Sequence, residues 1–358
     1  MHFKDSILAL PVYKPPKLTA IQPPDTVKLS SNENPLGPAP RAIEAIRKHT
    51  ESIYRYPDAA ARALKQALAR RFEMPEEMIL VSNGSDELVS TLSSGFLRPG
   101  DRAIMALGSF IVYYLRARVA EAEAVRVPLR PDFTHDLPAM AAAIDERTRL
   151  LYVCNPNNPT GTMSSAKEMA DLLERVPDHV LVVSDEAYVE FVERADFPDT
   201  LAELRRGRRN LLVMRTFSKI YGLAGLRVGY AFAHPDVVSY LERVRPVFNV
   251  NYLAQLAAAA ALEDDEFVAR SRAYAHRCRE LFTNRFAAMG LDPIPSVANF
   301  VACKVGDDMR VCQALLERGF AVTPLSGWGV PGYIRASFAH DDEVHERFFA
   351  ILDEVIQQ

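Results

Sequence analysis

Residues 215–230 of the chain read Arg-Thr-Phe-Ser-Lys-Ile-Tyr-Gly-Leu-Ala-Gly-Leu-Arg-Val-Gly-Tyr. This stretch places Lys219 after an apolar run typical of a β-strand and before a loop with Gly222 and Gly225, and a second apolar run follows Arg227. A lysine held in this way favours a chemical role, although a surface lysine in a loop between two strands has the same local pattern. The residues around the neighbouring strands have to decide between the two interpretations.

The composition is that of a globular protein, because 49% of the 358 residues are hydrophobic and 25% are charged. A formal net charge of −4 provides no basic field for a nucleic-acid backbone. No window has the apolar length of a membrane span, so we expect neither nucleic acid nor membrane as a partner, and a cytoplasmic location. The four cysteines lie far apart without histidines at ligand spacing, which predicts neither disulfides nor a metal site.

Short apolar runs alternate with helical patterns through the first two thirds of the chain. We expect strands at 78–81, 103–106, 124–127, 150–154, 180–184, 211–215 and 228–232. This alternation predicts an α/β fold with a mostly parallel sheet covered by helices on both faces. Longer helices follow Pro246 and predict a smaller α+β domain, while the proline-rich start predicts an extended arm. The expected units are therefore 1–34 (arm), 35–246 (large domain) and 247–358 (small domain).

Polar residues follow the predicted strands where ligands bind in such sheets, beyond the strands' carboxyl ends. Gly84, Ser85 and Asp86 begin a predicted helix, whose free amides and positive dipole end suit a phosphate. An ordinary N-cap by Ser85 or Asp86 is the alternative for this stretch alone.

Three further strand ends carry chemistry. Asn158 lies in a turn rich in proline, and Asp185 ends a buried strand, where its charge requires a cation or hydrogen-bond donors. Thr216 and Ser218 precede Lys219 at the last of these ends. A phosphate cup, an amide, a carboxylate and a lysine together suit an imine-bound phosphorylated heteroaromatic aldehyde, pyridoxal 5'-phosphate.

These residues also carry a family resemblance. The motifs are Asn158-Pro159-Thr160-Gly161, Asp185-Glu186-Ala187-Tyr188, Ser218-Lys219 with Arg227, and then 31–38, Arg55-Tyr56-Pro57-Asp58, Ser109-Phe110 and 223–227. The first three resemble the fold-type-I aminotransferases, and the others resemble the histidinol-phosphate aminotransferase family in particular. The similarity runs from about Tyr13 to the C-terminus.

The resemblance implies a role for each matching residue at the cofactor. Lys219 would form the Schiff base with pyridoxal phosphate and afterwards move protons, and Asp185 would pair with the ring nitrogen. Asn158 and Tyr188 would hydrogen-bond the ring hydroxyl, and Phe110 would stack on the ring. Lys219, Asp185 and Tyr188 are thus the expected catalytic residues.

The resemblance also implies a phosphate site shared between two subunits. It would comprise Gly84, Ser85, Thr216, Ser218 and Arg227, with Asp86 nearby and Tyr56 reaching in from the other subunit. A homodimer with a shared active site is therefore expected.

The substrates implied by the resemblance are an amine donor and a 2-oxo acid. Their expected binding residues are Tyr13, Asn34, Asn158 and Arg335. Arg335 would bind the carboxylate of 2-oxoglutarate or glutamate, or the phosphate of histidinol phosphate.

The chain departs from the family at one position that bears on the substrate. Members that use histidinol phosphate usually carry an arginine where this chain has Thr323, and the loss of one such contact would weaken phosphate binding by roughly 1.5–3 kcal/mol. Histidinol phosphate is the expected donor. An aromatic or other amino acid is the alternative, and decarboxylation or oxidation on the same cofactor is a second class of reaction.

Overall fold

The computed structural model describes residues 4–10 and 26–357, so Tyr13 and most of the predicted arm lie outside the described residues. The strands are β1 (Val27–Lys28), β2 (Ile79–Ser82), β3 (Arg102–Leu107), β4 (Glu123–Pro128), β5 (Thr148–Cys154), β6 (Leu181–Asp185), β7 (Leu211–Thr216), β8 (Gly229–Ala233), β9 (Phe300–Lys304), β10 (Phe320–Ala321), β11 (Thr323–Pro324) and β12 (Tyr333–Ser337). The helices are α1 (Asp5–Leu8), α2 (Pro40–His49), α3 (Arg62–Phe72), α4 (Gly84–Phe96), α5 (Val112–Val119), α6 (Leu137–Ala142), α7 (Ala166–Arg175), α8 (Thr200–Arg205), α9 (Pro235–Leu241), α10 (Tyr252–Ala261), α11 (Asp265–Ala288), α12 (Asp308–Glu317) and α13 (Asp342–Ile356).

A seven-stranded sheet forms the centre of the molecule, with the strand order β2-β8-β7-β6-β5-β3-β4. β8 pairs antiparallel with both of its neighbours, whereas the other pairs in this sheet are parallel. The predicted α/β class and mostly parallel sheet are therefore confirmed.

Both faces of this sheet are buried. In β5, Leu151 and Val153 belong to one hydrophobic cluster, whereas Leu150 and Tyr152 belong to another. Successive side chains of a strand point to opposite faces, so the two clusters are the two helix-covered faces of one sheet. This explains why the strands have continuous apolar runs rather than alternating patterns.

A smaller three-stranded antiparallel sheet has the order β11-β12-β9. Most of its buried apolar residues join the larger of these clusters, together with aromatic residues of α11 and α13 such as Phe282 and Phe348, whereas Ala302 belongs to a small separate cluster. β1 pairs with β10 beside it, so residues from near the start of the chain run along the C-terminal elements. The domain boundaries at 34 and 246 stay a prediction.

Several local expectations differ from the structure. The sequence pattern did not indicate α6, α8 and α9; α8 lies between the parallel strands β6 and β7, which require a crossover connection. Residues 5–8 are helical rather than extended, and farther along the predicted arm Leu29 and Asn32 are buried. These short elements depend on tertiary packing, because isolated helices of six or seven residues are not stable alone.

Two absences hold for residues 4–10 and 26–357. No helix there is both long and apolar enough to cross a membrane. No group of three or more His, Cys, Asp or Glu side chains there is arranged to hold a metal ion. The cytoplasmic location stays a prediction.

The loop after Lys219 is fixed by a close backbone approach at Gly222. Gly222 has φ of +68°, and a Cβ atom built on it would lie 2.0 Å from the carbonyl oxygen of Gly37. A side chain would therefore meet backbone, in a conformation that L-residues disfavour. At Gly225, three residues later, a Cβ atom would have no atom of the described residues within 4 Å apart from its own chain neighbours.

We expect Gly222→Ala to destabilise the protein by about 2–4 kcal/mol, through backbone strain and the clash with Gly37. Gly225→Ala is the matched control and should change the free energy of unfolding by no more than about 0.5 kcal/mol. Urea unfolding of both variants measures the difference. Equal unfolding midpoints for the two variants would contradict this account of the loop.

Candidate active site

A cavity of about 150 Å³ lies at the carboxyl ends of β5, β6 and β7, next to the start of α4. It is lined by Ser85, Asp86, Phe110, Cys154, Asn158, Asp185, Ala187, Tyr188, Thr216, Ser218, Lys219 and Arg227. Most residues that the sequence nominated for the cofactor therefore meet at one place. Cys154 and Ala187 also line the cavity, although no role was predicted for either from the sequence.

Lys219 projects its amine among polar groups inside this site. Its Nζ donates a hydrogen bond to the Ser31 carbonyl at 3.0 Å and lies 5.7 Å from the centroid of the Tyr188 ring. Burial, reinforced by the positive charge of Arg335, lowers the pKa of Lys219 to about 7 from its ordinary value of 10.5. A large fraction of the amine is thus neutral near pH 7 and able to act as a nucleophile or base.

Asp185 is 3% exposed and is held by neutral donors. The Tyr113 hydroxyl donates a hydrogen bond to Oδ2, and the Ala187 amide donates one to Oδ1 at 3.1 Å. Burial raises the pKa of Asp185 to about 6, while these hydrogen bonds act in the opposite direction. Tyr113 was missed from the sequence, although its place three residues after Phe110 offered a signal.

The anion cup is formed around the first turn of α4. The N-cap residue is Asn83, and it makes no side-chain hydrogen bond to that turn, so the expected alternative of a Ser85 or Asp86 cap is wrong. Gly84 has φ of +79°, and a Cβ atom on it would lie 2.7 Å from Nη2 of Arg227. Glycine thus lets a guanidinium approach the helix N-terminus, where both favour an anion.

The remaining members of the cup lie at the end of β7 and on the segment that follows it. Arg227 Nη1 lies 3.5 Å from the Ser218 hydroxyl, and the Thr216 hydroxyl accepts the Ser218 amide at 3.1 Å. Oδ2 of Asp86, a carboxylate that lines the cavity, is 3.3 Å from Nη2 of Arg116. Arg116 offsets that charge and is another residue that the sequence motifs did not nominate.

Arg335 lies on β12, is 4% exposed and reaches the same site. One guanidinium nitrogen donates to Asn158 Oδ1, and the other donates to the Ser30 carbonyl at 2.5 Å and to the Thr323 hydroxyl at 3.1 Å. Burial lowers the pKa of Arg335 to about 10, which leaves it cationic at neutral pH. Its Nε has no partner among the described residues and remains able to donate to an anion.

Two nominated residues lie away from the cavity within one chain. Asn34 donates to the Ile220 carbonyl at 2.8 Å and to the Ser271 hydroxyl at 2.9 Å, so it anchors the loop behind Lys219. Tyr56 is 81% exposed and stacks on Phe248 with centroids 4.7 Å apart. Their roles in substrate and cofactor binding stay predictions.

Comparison with known proteins assigns the chain to a family. Residues 24–352 match the family described as Aminotransferase class I and II. The chain belongs to the class I and II aminotransferases. The expectations of a transaminase and of its pyridoxal phosphate cofactor are thereby confirmed.

Individual relatives agree with this family. The histidinol-phosphate aminotransferase of Moorella thermoacetica is 41% identical over 99% of this aminotransferase and 92% of its own length. Histidinol-phosphate aminotransferase 2 of Ralstonia nicotianae is 47% identical over 88% of this chain and 85% of its own. The crystal structure of the Sinorhizobium meliloti histidinol-phosphate aminotransferase with pyridoxal-5'-phosphate has a TM-score of 0.89 at 29% identity, covering 99% of this chain and 97% of that one.

The residues of this aminotransferase fit the cofactor. The uncapped start of α4 and Arg227 would hold its phosphate, and the buried Asp185 would hold its ring nitrogen. Phe110 lies at the cavity beside Tyr113, with ring centroids 5.5 Å apart, and would cover the ring. Lys219, with its lowered pKa, would bond to the aldehyde carbon.

We expect the stability of the cofactor-free aminotransferase to depend on pH through Asp185. Because its pKa is raised from 3.8 to about 6, the folded state binds more protons than the unfolded state between these values. Asp185 therefore contributes stability below about pH 4 that is lost as the pH rises through about 6, by at most about 3 kcal/mol.

Asp185→Asn replaces the protonated carboxyl with a neutral amide and removes this dependence. Urea unfolding of the cofactor-free wild type and of Asp185→Asn between about pH 4 and 7 measures it. The wild type should lose stability relative to the variant as the pH rises. A constant difference across that range would contradict the assignment.

Proposed function

We propose that the protein is a histidinol-phosphate aminotransferase, which transfers the amino group of histidinol phosphate to 2-oxoglutarate. The observation that carries this is the arrangement of Lys219, Asp185 and Arg335 around one site, together with relatives of that name at 41–47% identity. A nucleophilic amine, a carboxyl for the cofactor ring and a cation for a substrate anion are the three requirements of this reaction.

The chemistry divides between the cofactor and the protein. Bound pyridoxal phosphate supplies an aldehyde that condenses with amines and a ring that accepts electrons. Asp185, once it faces a cationic ring nitrogen, would be stabilised as the carboxylate and would keep a proton on that nitrogen. Tyr188, which lines the cavity, would hydrogen-bond the ring hydroxyl.

Lys219 is placed to move a proton once the substrate amine has released it. Its pKa near 7 allows the amine to accept a proton and to return it at neutral pH. The Ser31 carbonyl, 3.0 Å from Nζ, holds the free lysine inside the site.

Arg335 would bind the anionic end of each substrate in turn. It is cationic, buried and fixed by Asn158, so its desolvated charge is well suited to a carboxylate or phosphate. The single guanidinium would serve both the phosphate of the donor and a carboxylate of the acceptor.

One feature supports an aromatic amino acid as the alternative donor. The Arg335 guanidinium lies 5.3 Å from the Phe300 ring centroid and 5.7 Å from that of Trp328. Thr323 beside it is uncharged and hydrogen-bonds the Ser30 carbonyl at 3.0 Å. This surface combines one cation with aromatic rings, as an amino acid with an aromatic side chain requires.

Steady-state kinetics with 2-oxoglutarate separate the two donors. We expect kcat/KM for histidinol phosphate to exceed that for histidinol, phenylalanine and tyrosine by about 10–100-fold, because the phosphate contact contributes roughly 1.5–3 kcal/mol. Arg335→Gln should remove most of the preference over histidinol, which lacks the phosphate. Lys219→Ala should abolish turnover and the visible absorption band of the borohydride-reducible imine. A larger kcat/KM for an aromatic amino acid would assign the alternative function.

We also propose that the active form is a homodimer with a shared site. Exposed apolar side chains cluster on one surface beside Tyr56, namely Ile53, Tyr54, Val247 and Phe248. A patch of this kind marks an interface, and a second copy of the chain would bury it. Tyr56 of the partner subunit would then reach the phosphate site.

Hybrid dimers test whether the site is shared. Mixing Lys219→Ala with Tyr56→Ala should restore about a quarter of the wild-type activity, because half the dimers would each contain one intact site. Lys219→Ala mixed with Arg227→Ala is the control and should restore none, since both residues belong to the same subunit's site. Recovery in neither mixture would contradict the shared site.

A further inference from the structure

Residues 30–34 pass beside the site, and each of the first three touches a different residue of it. We call these residues the crossing segment. The Ser30 carbonyl accepts from Arg335, and the Ser31 carbonyl accepts from Lys219 at 3.0 Å. The side-chain amide of Asn32 donates to the hydroxyl of Tyr188 at 3.0 Å. Only the last of these three contacts uses a side chain of the crossing segment, so it can be removed by substituting a residue of that segment.

The backbone of Asn32 is fixed in an unusual conformation. Its φ is +54°, a left-handed value that asparagine tolerates better than most residues. Its amide donates to the Ser337 hydroxyl at 3.3 Å, and its carbonyl accepts from Asn299 at 3.1 Å. These two bonds fix the backbone, and Asn32 as a whole is 1% exposed, so its side-chain bond to Tyr188 is shielded from water.

The direction of the hydrogen bond determines what Tyr188 can do. A phenol has one proton to donate, and its oxygen can accept. Because Asn32 donates to that oxygen, the proton of Tyr188 remains available for another acceptor. The edge contact of the ring with Phe300, at 5.2 Å between centroids, fixes the position of the hydroxyl further.

We propose that Asn32 is a positioning residue, whose amide holds the Tyr188 hydroxyl as an acceptor and so directs the phenolic proton toward the cofactor. This rests on the proposed function, in which Tyr188 hydrogen-bonds the cofactor's ring hydroxyl. An ionised aspartate at position 32 could accept a hydrogen bond from the Tyr188 hydroxyl but could not donate one to it. A glycine would keep the backbone conformation without the bond. Asparagine satisfies both requirements.

The groups around Tyr188 affect the pKa of its hydroxyl, which a change at Asn32 would also alter. Arg335 on β12 and Lys219 on the loop after β7 face it, together with Asp185 on β6 and Cys154 on β5. Burial raises the pKa of Tyr188 above its ordinary value, whereas Arg335 and the bond from Asn32 act to lower it. Loss of the bond therefore makes the phenol a weaker donor.

The test uses the enzyme loaded with pyridoxal phosphate and follows its visible absorption between about pH 6 and 10. Asn32→Gly should raise the apparent pKa of the absorption change by about 0.5–1 unit, and Asn32→Asp by about 1 unit or more, because a carboxylate would accept the phenolic proton. Ser337→Ala is the matched control. It removes only the long bond to the Asn32 amide, leaves the bond from Asn299 to the Asn32 carbonyl and does not touch Tyr188, so it should leave the pKa unchanged.

A double-mutant cycle gives a second measurement that needs no cofactor. Asn32→Gly, Tyr188→Phe and their combination are compared by urea unfolding of the cofactor-free protein. If the bond exists as proposed, the double variant loses less than the sum of the single losses in the free energy of unfolding.

The outcomes separate this proposal from the proposed function. An unchanged absorption pKa in Asn32→Gly, an equal shift in Ser337→Ala, or an additive cycle would overturn the positioning role. Failure of the wild type to develop the visible band with pyridoxal phosphate would instead overturn the proposed function and, with it, the direction of the proton toward the cofactor. A shifted pKa in both Asn32 variants together with a non-additive cycle supports the role.

Discussion

The in-register pairing of β5, β6 and β7 is the constraint on which the site depends. Cys154 pairs with Asp185, and Asp185 pairs with Met214, so the three strands end side by side at one edge of the sheet. Neighbouring strands are about 4.8 Å apart. Residues far apart in the chain are thereby brought within the length of one small molecule, and the loops that follow carry Asn158 and Lys219 into the same cavity.

Two adjacent carboxyl groups at the end of β6 differ in their hydrogen-bond partners, and this difference separates a structural ion pair from a group available to a ligand. Glu186 is fully buried and accepts hydrogen bonds from Arg215, through Nε at 3.0 Å and Nη2 at 2.7 Å. Asp185 has only the neutral donors Tyr113 and Ala187 among the described residues, so burial raises its pKa. The first carboxylate forms an internal ion pair that joins β6 to β7. The second is left without a directly bonded cation, which a protonated ring nitrogen would provide.

The crossing segment joins the two sheets around the cavity. Its contacts reach Arg335 on the three-stranded sheet and Lys219 and Tyr188 beside the seven-stranded one. A substrate anion at Arg335 would therefore compete for a group that also holds this segment. The residues that would recognise the substrate and those that would hold the cofactor are linked by one short stretch of chain.

The sequence by itself determined the class of fold, and it nominated most of the residues that meet at the cavity. The apolar runs were long enough to identify each central strand, and the residues that follow parallel strands must share one edge of the sheet. Asp185 could be nominated because a carboxylate is costly to bury without a partner or a function. Lys219 was nominated by its place at the end of a strand, and Arg227 through the family resemblance.

Only the tertiary structure decided the partners of these residues. Tyr113 and Arg116 lie outside the quoted motifs, and Asn32 lies within the motif 31–38 without a role of its own being predicted. The roles of all three depend on distances across the fold. The same holds for the pKa values of Asp185 and Lys219, which are set by burial and by charges distant in sequence. The periodicity of apolar residues predicts which face of a helix or strand is buried, but it does not predict which side chains that face will contact.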